Sequence, residues 1–388
     1  MELKIFSKAL EPLGIVDEAI SVIWQPTYWA KGAYDDCKIL APVTENNNQL
    51  LKKGNIVVLH GEPAEVTNEQ GDWRRAMQIT YRYITKDENG TEQIEVQGCL
   101  LKKWLSKRVL TVNKIISATN QSIINQLITE NMGTGAITAR QFERFTMLPQ
   151  DDLGGDTVEY TTQYGTDVGD AVYDRALSGK LGYDILVNER EKLYGFWLYK
   201  GVDMSSGNAQ GNTPCIFSRD FDNVTEQDYT ESIENIKNVC YASSAADENN
   251  TIYYMEVDNE QQTGTDRDEM YIDMSSISWQ TQDEQGNSST IDYNTYMQLM
   301  NTEANVQLDD AGETINFEST INTSKNLQYK TDFCVGDIVT TIEKNWGIRI
   351  DARITKISET WQDGKHTLEV TFGDSLPTLL DKIKKVRK

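Results

Sequence analysis

The chain predicts a mixed, β-rich α+β fold in which two β-rich regions flank an α+β insert. Three observations carry this. Short runs of alternating apolar and polar residues, bounded by turn residues, fill residues 1–112 and return over 216–375. Helical spacing of apolar residues dominates the stretch between, 113–215. The composition, with 38% hydrophobic residues, 18 Tyr and 8 Trp in 388, is that of a folded chain with room for two or three domains.

In the first region the strand candidates are Leu3–Ser7, Ser21–Trp24, Tyr34–Leu40, Ile56–His60, Met77–Ile84 and Gln93–Val96. Turns are expected at Pro12-Leu13-Gly14, Lys53-Gly54-Asn55, Glu69–Asp72 and Glu88-Asn89-Gly90. Asn89-Gly90, between Tyr81–Ile84 and Ile94–Val96, is the strongest hairpin signal in the chain. Thr44 is placed to cap a short helix over Thr44–Lys52, with Gly54 just past its end. Many short strands with little helix argue a small barrel.

The insert begins with a helix that starts at Thr119, puts Ile123, Ile124, Leu127 and Ile128 on one face, and ends at Gly133. A second helix, Asp167–Gly179, turns Val168, Ala171, Val172, Ala176 and Leu177 inward. Strands Tyr183–Val187 and Phe196–Lys200 then flank a turn at Glu189–Lys192. The Gly-, Ser- and Asn-rich loop Asp203–Pro214 predicts mobility. Gly133-Thr134-Gly135 lacks the third glycine and the preceding strand of a dinucleotide fingerprint.

After residue 215 the strand candidates are Thr251–Val257, Met270–Ile272, Ile315–Phe317 and Leu327–Tyr329. Tyr293–Val306 is a helix with Tyr296, Met297, Leu299 and Met300 near its buried side. The densest β signal is Thr331–Asp374. There Phe333–Val335 leads through Gly336-Asp337 into Ile338–Ile342, and Asn345-Trp346-Gly347 turns the chain. Ile348, Ile350, Ala352 and Ile354 then line one face, and Asp363-Gly364 turns into Thr367–Phe372. The tail 376–388 carries Leu379, Leu380, Ile383 and Val386 at helical spacing, surrounded by Lys382, Lys384, Lys385, Arg387 and Lys388.

A net charge of -23 opposes a tight grip on nucleic acid, whose phosphates need Lys and Arg patches. The N-terminus lacks the apolar core of a signal peptide, and no apolar run approaches the ~20 residues of a membrane span. Cys37, Cys99, Cys215, Cys240 and Cys334 are odd in number and far apart, so they read as reduced thiols. The only histidines, His60 and His366, sit at strand ends beside turn glycines and read as solvated rather than as catalytic bases. Acidic clusters such as Asp309-Asp310 lack the ladder of a calcium loop. No catalytic group, cofactor or metal site is expected.

The segment from Phe333-Cys334-Val335-Gly336-Asp337 through Trp346-Gly347-Ile348-Arg349-Ile350-Asp351-Ala352-Arg353 to Val370–Asp374 resembles the closing segment of tail-tip hub proteins of long-tailed phages and prophages. Ile20–Trp24 with Ala41-Pro42, Phe217–Asn223 with Ile236–Val239, and Gly264–Glu269 fit the same family in order. The family is similar in fold to the central baseplate hub of contractile-tailed phages. The resemblance implies a homotrimer with two tube-type β-barrel domains per chain, 1–112 and 216–375, flanking the insert 113–215. Three chains would present a near-sixfold ring to the tail tube. The implied partners are the tube, distal tail-tip, spike or receptor-binding proteins and the tape measure protein, with DNA passing through unbound; the implied location is the virion tail tip, assembled in the host cytoplasm.

The interface candidates are Arg267, Asp268, Glu269, Trp346, Arg349, Arg353, Lys384 and Lys385. Arg267 could pair with a carboxylate across a subunit boundary, against the bland alternative of a surface ion pair worth ~0–1 kcal/mol. Where the family pattern continues with Asp-Ala-Arg-Asp-Ile, this chain has Asp273-Met274-Ser275-Ser276-Ile277, without that arginine. The basic tail reads as a docking helix for an acidic neighbour, in preference to a solubilising end. The rival functions are a peptidoglycan-degrading tail-tip enzyme and a host-surface adhesin. Related hubs carry such domains beyond the second barrel, and the end at Lys388 is expected to leave no room for one. Clearing of cell-wall material in a zymogram, lost on mutating a carboxylate pair, would mark the enzyme.

Overall fold

The computed structural model describes residues 1–29, 36–282, 287–323 and 325–373. The predicted tail helix, with Lys384 and Lys385, lies outside the described residues.

Alternating apolar residues make the first region a series of short strands. These are β1 (Leu3–Phe6), β2 (Pro12–Val16), β3 (Ser21–Trp24), β4 (Asp36–Pro42), β5 (Ile56–Leu59), β6 (Val66–Asn68), β7 (Gly71–Arg75), β8 (Met77–Lys86) and β9 (Glu92–Leu100). Helix α1 (Glu45–Leu50) starts where Thr44 accepts a hydrogen bond from the Asn47 N–H. The insert follows as β10 (Ile115–Thr119), α2 (Asn120–Asn131), β11 (Phe145–Met147), β12 (Thr157–Thr161), α3 (Val168–Gly179), β13 (Gly182–Asn188) and β14 (Leu193–Tyr199). Thr119 and Asp167 cap α2 and α3, each accepting from N–H groups of its helix's first turn.

The last region opens with β15 (Ile216–Ser218), β16 (Val224–Ser232), β17 (Val239–Ser244), β18 (Tyr254–Val257), β19 (Glu269–Met274), β20 (Gln280–Gln282) and β21 (Ser288–Thr290). Helix α4 (Tyr293–Asp310) is capped by Asp292 and runs one turn further than its apolar spacing suggested. Strands β22 (Thr314–Ile321), β23 (Ile338–Glu343), β24 (Ile348–Gln362) and β25 (Lys365–Gly373) complete the described fold.

Strands from both ends of the chain share one 13-stranded sheet, in the order β16-β22-β25-β24-β3-β4-β9-β8-β5-β1-β2, with β23 and β15 branching from β24. The long strand β24 makes the join. Its first half pairs with β23, and its second half lies between β25 and β3, with Glu359 to Gln362 opposite Trp24 to Ser21. The sheet ends at β16 and β2, so among the described residues no closed barrel is found where two were expected. A separate five-stranded sheet, β11-β14-β13-β7-β6, ties β7 of the first region to the insert, and β17 lies between β18 and β19 in a three-stranded one.

The apolar cores follow these layers. Leu3, Ile5, Trp24, Ile39, Val57 and Val96 fill the N-terminal side of the large sheet, while Phe217, Phe317, Val339, Ile357 and Phe372 fill its C-terminal side. Ile123, Leu127, Val172, Ile185 and Phe196 join α2 and α3 to the five-stranded sheet. Cys240, Ala242, Leu299 and Met300 hold α4 beneath β17.

Several expectations need correction. Pro12-Leu13-Gly14 is not a turn but the start of β2, which is an edge strand bonded only to β1 and so tolerates a proline at its first residue. Leu327–Tyr329 and Phe333–Val335 form no strands; only the isolated bridge Tyr329 to Phe333 links them, and Phe333 is buried in a loop. The loop Asp203–Pro214 is folded rather than loose: Asn212 donates to the Asp203 carbonyl at 2.7 Å, and the Ser206 N–H donates to Thr340 at 2.8 Å. Of the predicted Thr251–Val257 strand, only Tyr254–Val257 pairs.

Candidate assembly surface and the joint behind it

Tyr28, just past β3, is wedged where the three parts of the chain meet. Its hydroxyl donates to the Lys180 carbonyl at 3.0 Å, and its ring lies edge-on to Tyr199 at 5.3 Å. Three glycines make room for it. A Cβ on Gly182 would stand 2.1 Å from the ring, one on Gly336 2.4 Å, and one on Gly201 1.8 Å from the Gly336 carbonyl. Trp29 Nε1 reaches the Leu181 carbonyl at 2.8 Å. Burial pushes the Tyr28 hydroxyl above its ordinary pKa, so it serves as a neutral donor.

Beside this wedge lies a buried ionic cluster. Arg75 at the end of β7 donates to Glu65 at 2.5 Å and to Asp184 of β13 at 2.7 Å, and Lys330 approaches Glu65 at 3.3 Å. Trp197 stacks on Tyr199 at 3.9 Å, next to the guanidinium. Burial alone would raise the Glu65 carboxyl, but Arg75 and Lys330 hold it below its ordinary pKa. Glu62, also approached by Lys330, is instead pushed up by burial. Sequence reading missed this cluster because its members lie far apart in the chain. The one local signal was the Glu69–Asp72 turn, which makes β6 and β7 a hairpin and brings Glu65 to Arg75.

The predicted interface residues fall in separate places. Arg267 precedes β19 and spends its guanidinium within its own chain, on Glu256 at 2.6 Å, Asp258 at 2.7 Å, Glu269 at 2.6 Å and the Tyr241 hydroxyl at 2.7 Å. Asp268 is exposed, and its carbonyl accepts from the N–H groups of Asn238 and Val239. Trp346 stands half-exposed at the β23–β24 turn, and Arg349 donates to Ser206 at 2.6 Å. Arg353 lies over Tyr28, 5.0 Å from the ring centroid, and donates to the Gly336 carbonyl; it belongs to the joint.

His60 lies 3.6 Å from Glu2. His366 is more embedded than a solvated strand end: it stacks on Trp361 at 4.7 Å and faces the buried Glu359 at 3.2 Å. Burial pushes the thiol of Cys215 up to about 12 and that of Cys240 up to about 11, so these two stay protonated near neutrality. No helix of the described residues is long and apolar enough to cross a membrane.

This long open sheet, joined by the two chain ends and with a helical insert packed against it, is similar in fold to several solved tail proteins. The chain covers 96% of itself and 96% of a tail protein from Neisseria meningitidis MC58, at TM-score 0.54 and 11% identity. It covers 96% of itself and 98% of a 43 kDa tail protein of prophage MuSo2 from Shewanella oneidensis, at 0.56 and 10%. For prophage tail protein gp18 from Listeria monocytogenes EGD-e the figures are 100% and 98%, at 0.54 and 10%. At these identities the likeness is one of fold. Residues 2–374 match the family model of the Siphovirus ReqiPepy6 Gp37-like protein, and the chain belongs to that family. The family is one of siphovirus proteins. No curated protein matches the chain.

Proposed function

We propose that this chain is the hub at the tail tip or baseplate, acting as a homotrimer that closes or adapts the tail tube and anchors the distal tail-tip or receptor-binding proteins. The observation that carries this reading is the open sheet. Its outer strand β16, nine residues long, has one bonded neighbour, β22. Such an edge is a template for pairing unless something covers it. Tyr81, Tyr83 and Ile84 stand exposed on β8 and offer the apolar contact a neighbouring copy needs. In this reading 1–112 and 216–375 are two tube-type domains that complete their walls beside other copies, and 113–215 braces them. The acidic balance suits an axial channel whose lining repels phosphates.

The test is the oligomeric mass by light scattering, followed by end-on imaging of particles. A mass of three times 44.0 kDa with a threefold ring at the tail tip is expected. A monomer at every concentration, or a ring with a strongly basic lumen, would overturn the proposal.

A further inference from the structure

Between Val239 and Ala311 the sequence holds fifteen Asp and Glu and a single cation, Arg267, so more than half of the net charge of -23 sits in this segment. Arg267 is already committed to Glu256, Asp258 and Glu269. The segment folds as the sheet β18-β17-β19 over α4. Side chains alternate across it. One face, with Cys240, Ala242 and Val257, packs on the helix. The other presents Tyr241 opposite Tyr271 and Glu256, and Ser243 opposite Tyr254 and Asp273. Tyr254 is 73% exposed and Tyr271 64%, on a face rimmed by carboxylates. A tyrosine-studded acidic sheet face is built for lysine and arginine side chains, whose stems lie on the rings while the charges meet the acids.

The chain carries such a segment. Leu376–Lys388 holds Lys382, Lys384, Lys385, Arg387 and Lys388 with Leu379, Leu380, Ile383 and Val386 between them. Its root is close by. Gly373 pairs with Asn316 of β22, β22 begins soon after Ala311 at the end of α4, and the Ala311 carbonyl accepts from the Lys237 N–H just before β17. Gly373, the last described residue, is thus linked through β22 and the end of α4 to the Arg267 end of the sheet. Fifteen residues reach ~22 Å as a helix. Extended, they reach ~50 Å.

We propose that the outer face of β18-β17-β19, centred on Tyr241, Tyr254 and Tyr271, is the docking surface for the basic C-terminal segment Leu376–Lys388 of this protein. The inference does not depend on the trimeric hub reading. A carbodiimide, which joins amines to carboxylates in contact, is applied to the full chain at low salt, using a mixture of isotopically light and heavy copies. Cross-links from Lys382, Lys384 or Lys385 to Glu256, Glu269 or Asp273 are expected, lost at high salt and in the surface variant Tyr254→Ser/Tyr271→Ser. The isotope pattern tells whether the tail comes from the same copy or a neighbour. In parallel, nitration of Tyr254 and Tyr271 should be about tenfold slower in the natural chain than in one with Lys382, Lys384 and Lys385 changed to Glu, as for a tethered segment bound for about nine-tenths of the time. Tail lysines cross-linked elsewhere, or tyrosines nitrated equally fast in both chains, would overturn the proposal.

Discussion

Arg75 is the residue on which the three parts of the chain converge electrostatically, and its worth depends on its partners staying charged. Buried ion pairs gain little net stability when formed, but removing one member leaves a charge stranded in a poor solvent. Glu65→Gln is therefore expected to cost roughly 2–3 kcal/mol near neutral pH, read by urea unfolding. The sign of its pH dependence follows from the depressed carboxyl. The stabilisation is complete above the unfolded value of about 4.3 and fades as pH falls through the lower folded value. The gap between natural chain and variant should close in that acid range; a gap that stays constant would exclude the ionic account. Only the approach of Glu65 to Arg75, through the Glu69–Asp72 turn, had a local signal, because Asp184 and Lys330 meet Arg75 only after folding. The Thr44 cap was legible, since it acts on an N–H group three residues away.

At the scale of elements, the glycines around Tyr28 decide how closely the insert can sit against the rest. Gly182→Ala would drive a methyl into the ring at the first residue of β13, and the backbone there has little freedom to withdraw. A loss of about 2–3 kcal/mol is expected by thermal or urea unfolding. In the Tyr28→Ala background the same change should cost less, since the nearest obstacle is gone and only Tyr199, 2.7 Å from the new Cβ, remains; simple additivity would rule out the steric explanation. Elements with strong local grammar were read correctly, among them the hairpins at Asn89-Gly90 and Asp363-Gly364. Polar strands were not. β16 reads Val-Thr-Glu-Gln-Asp-Tyr-Thr-Glu-Ser and forms because β22 offers a partner, which no propensity in its own residues announces.

For the whole molecule the decisive contact is the pairing of β24 with β3, since that ladder fuses the two large half-sheets. Thr360 stands in its middle, opposite Ile23 on one side and Thr367 on the other. Thr360→Pro removes an N–H from an interior strand and should cost about 3 kcal/mol or more, lowering the melting temperature of regions at both chain ends together. Hydrogen exchange can check this: loss of protection confined to β25, with β3 and β4 unaffected, would contradict the fused-sheet view. Two β-rich regions were legible in the chain but their union was not, because register between segments more than three hundred residues apart leaves no local trace.

That union bears on synthesis. A ribosome releases β3 early, and its neighbour β24 emerges only after more than three hundred further residues have been made. Until then one flank of the early sheet has nothing to zip against, and the nascent chain must be kept from joining a stranger instead. A chain cut short before Ile348 would carry that exposed flank permanently, so truncated products should accumulate as aggregates rather than as smaller soluble proteins.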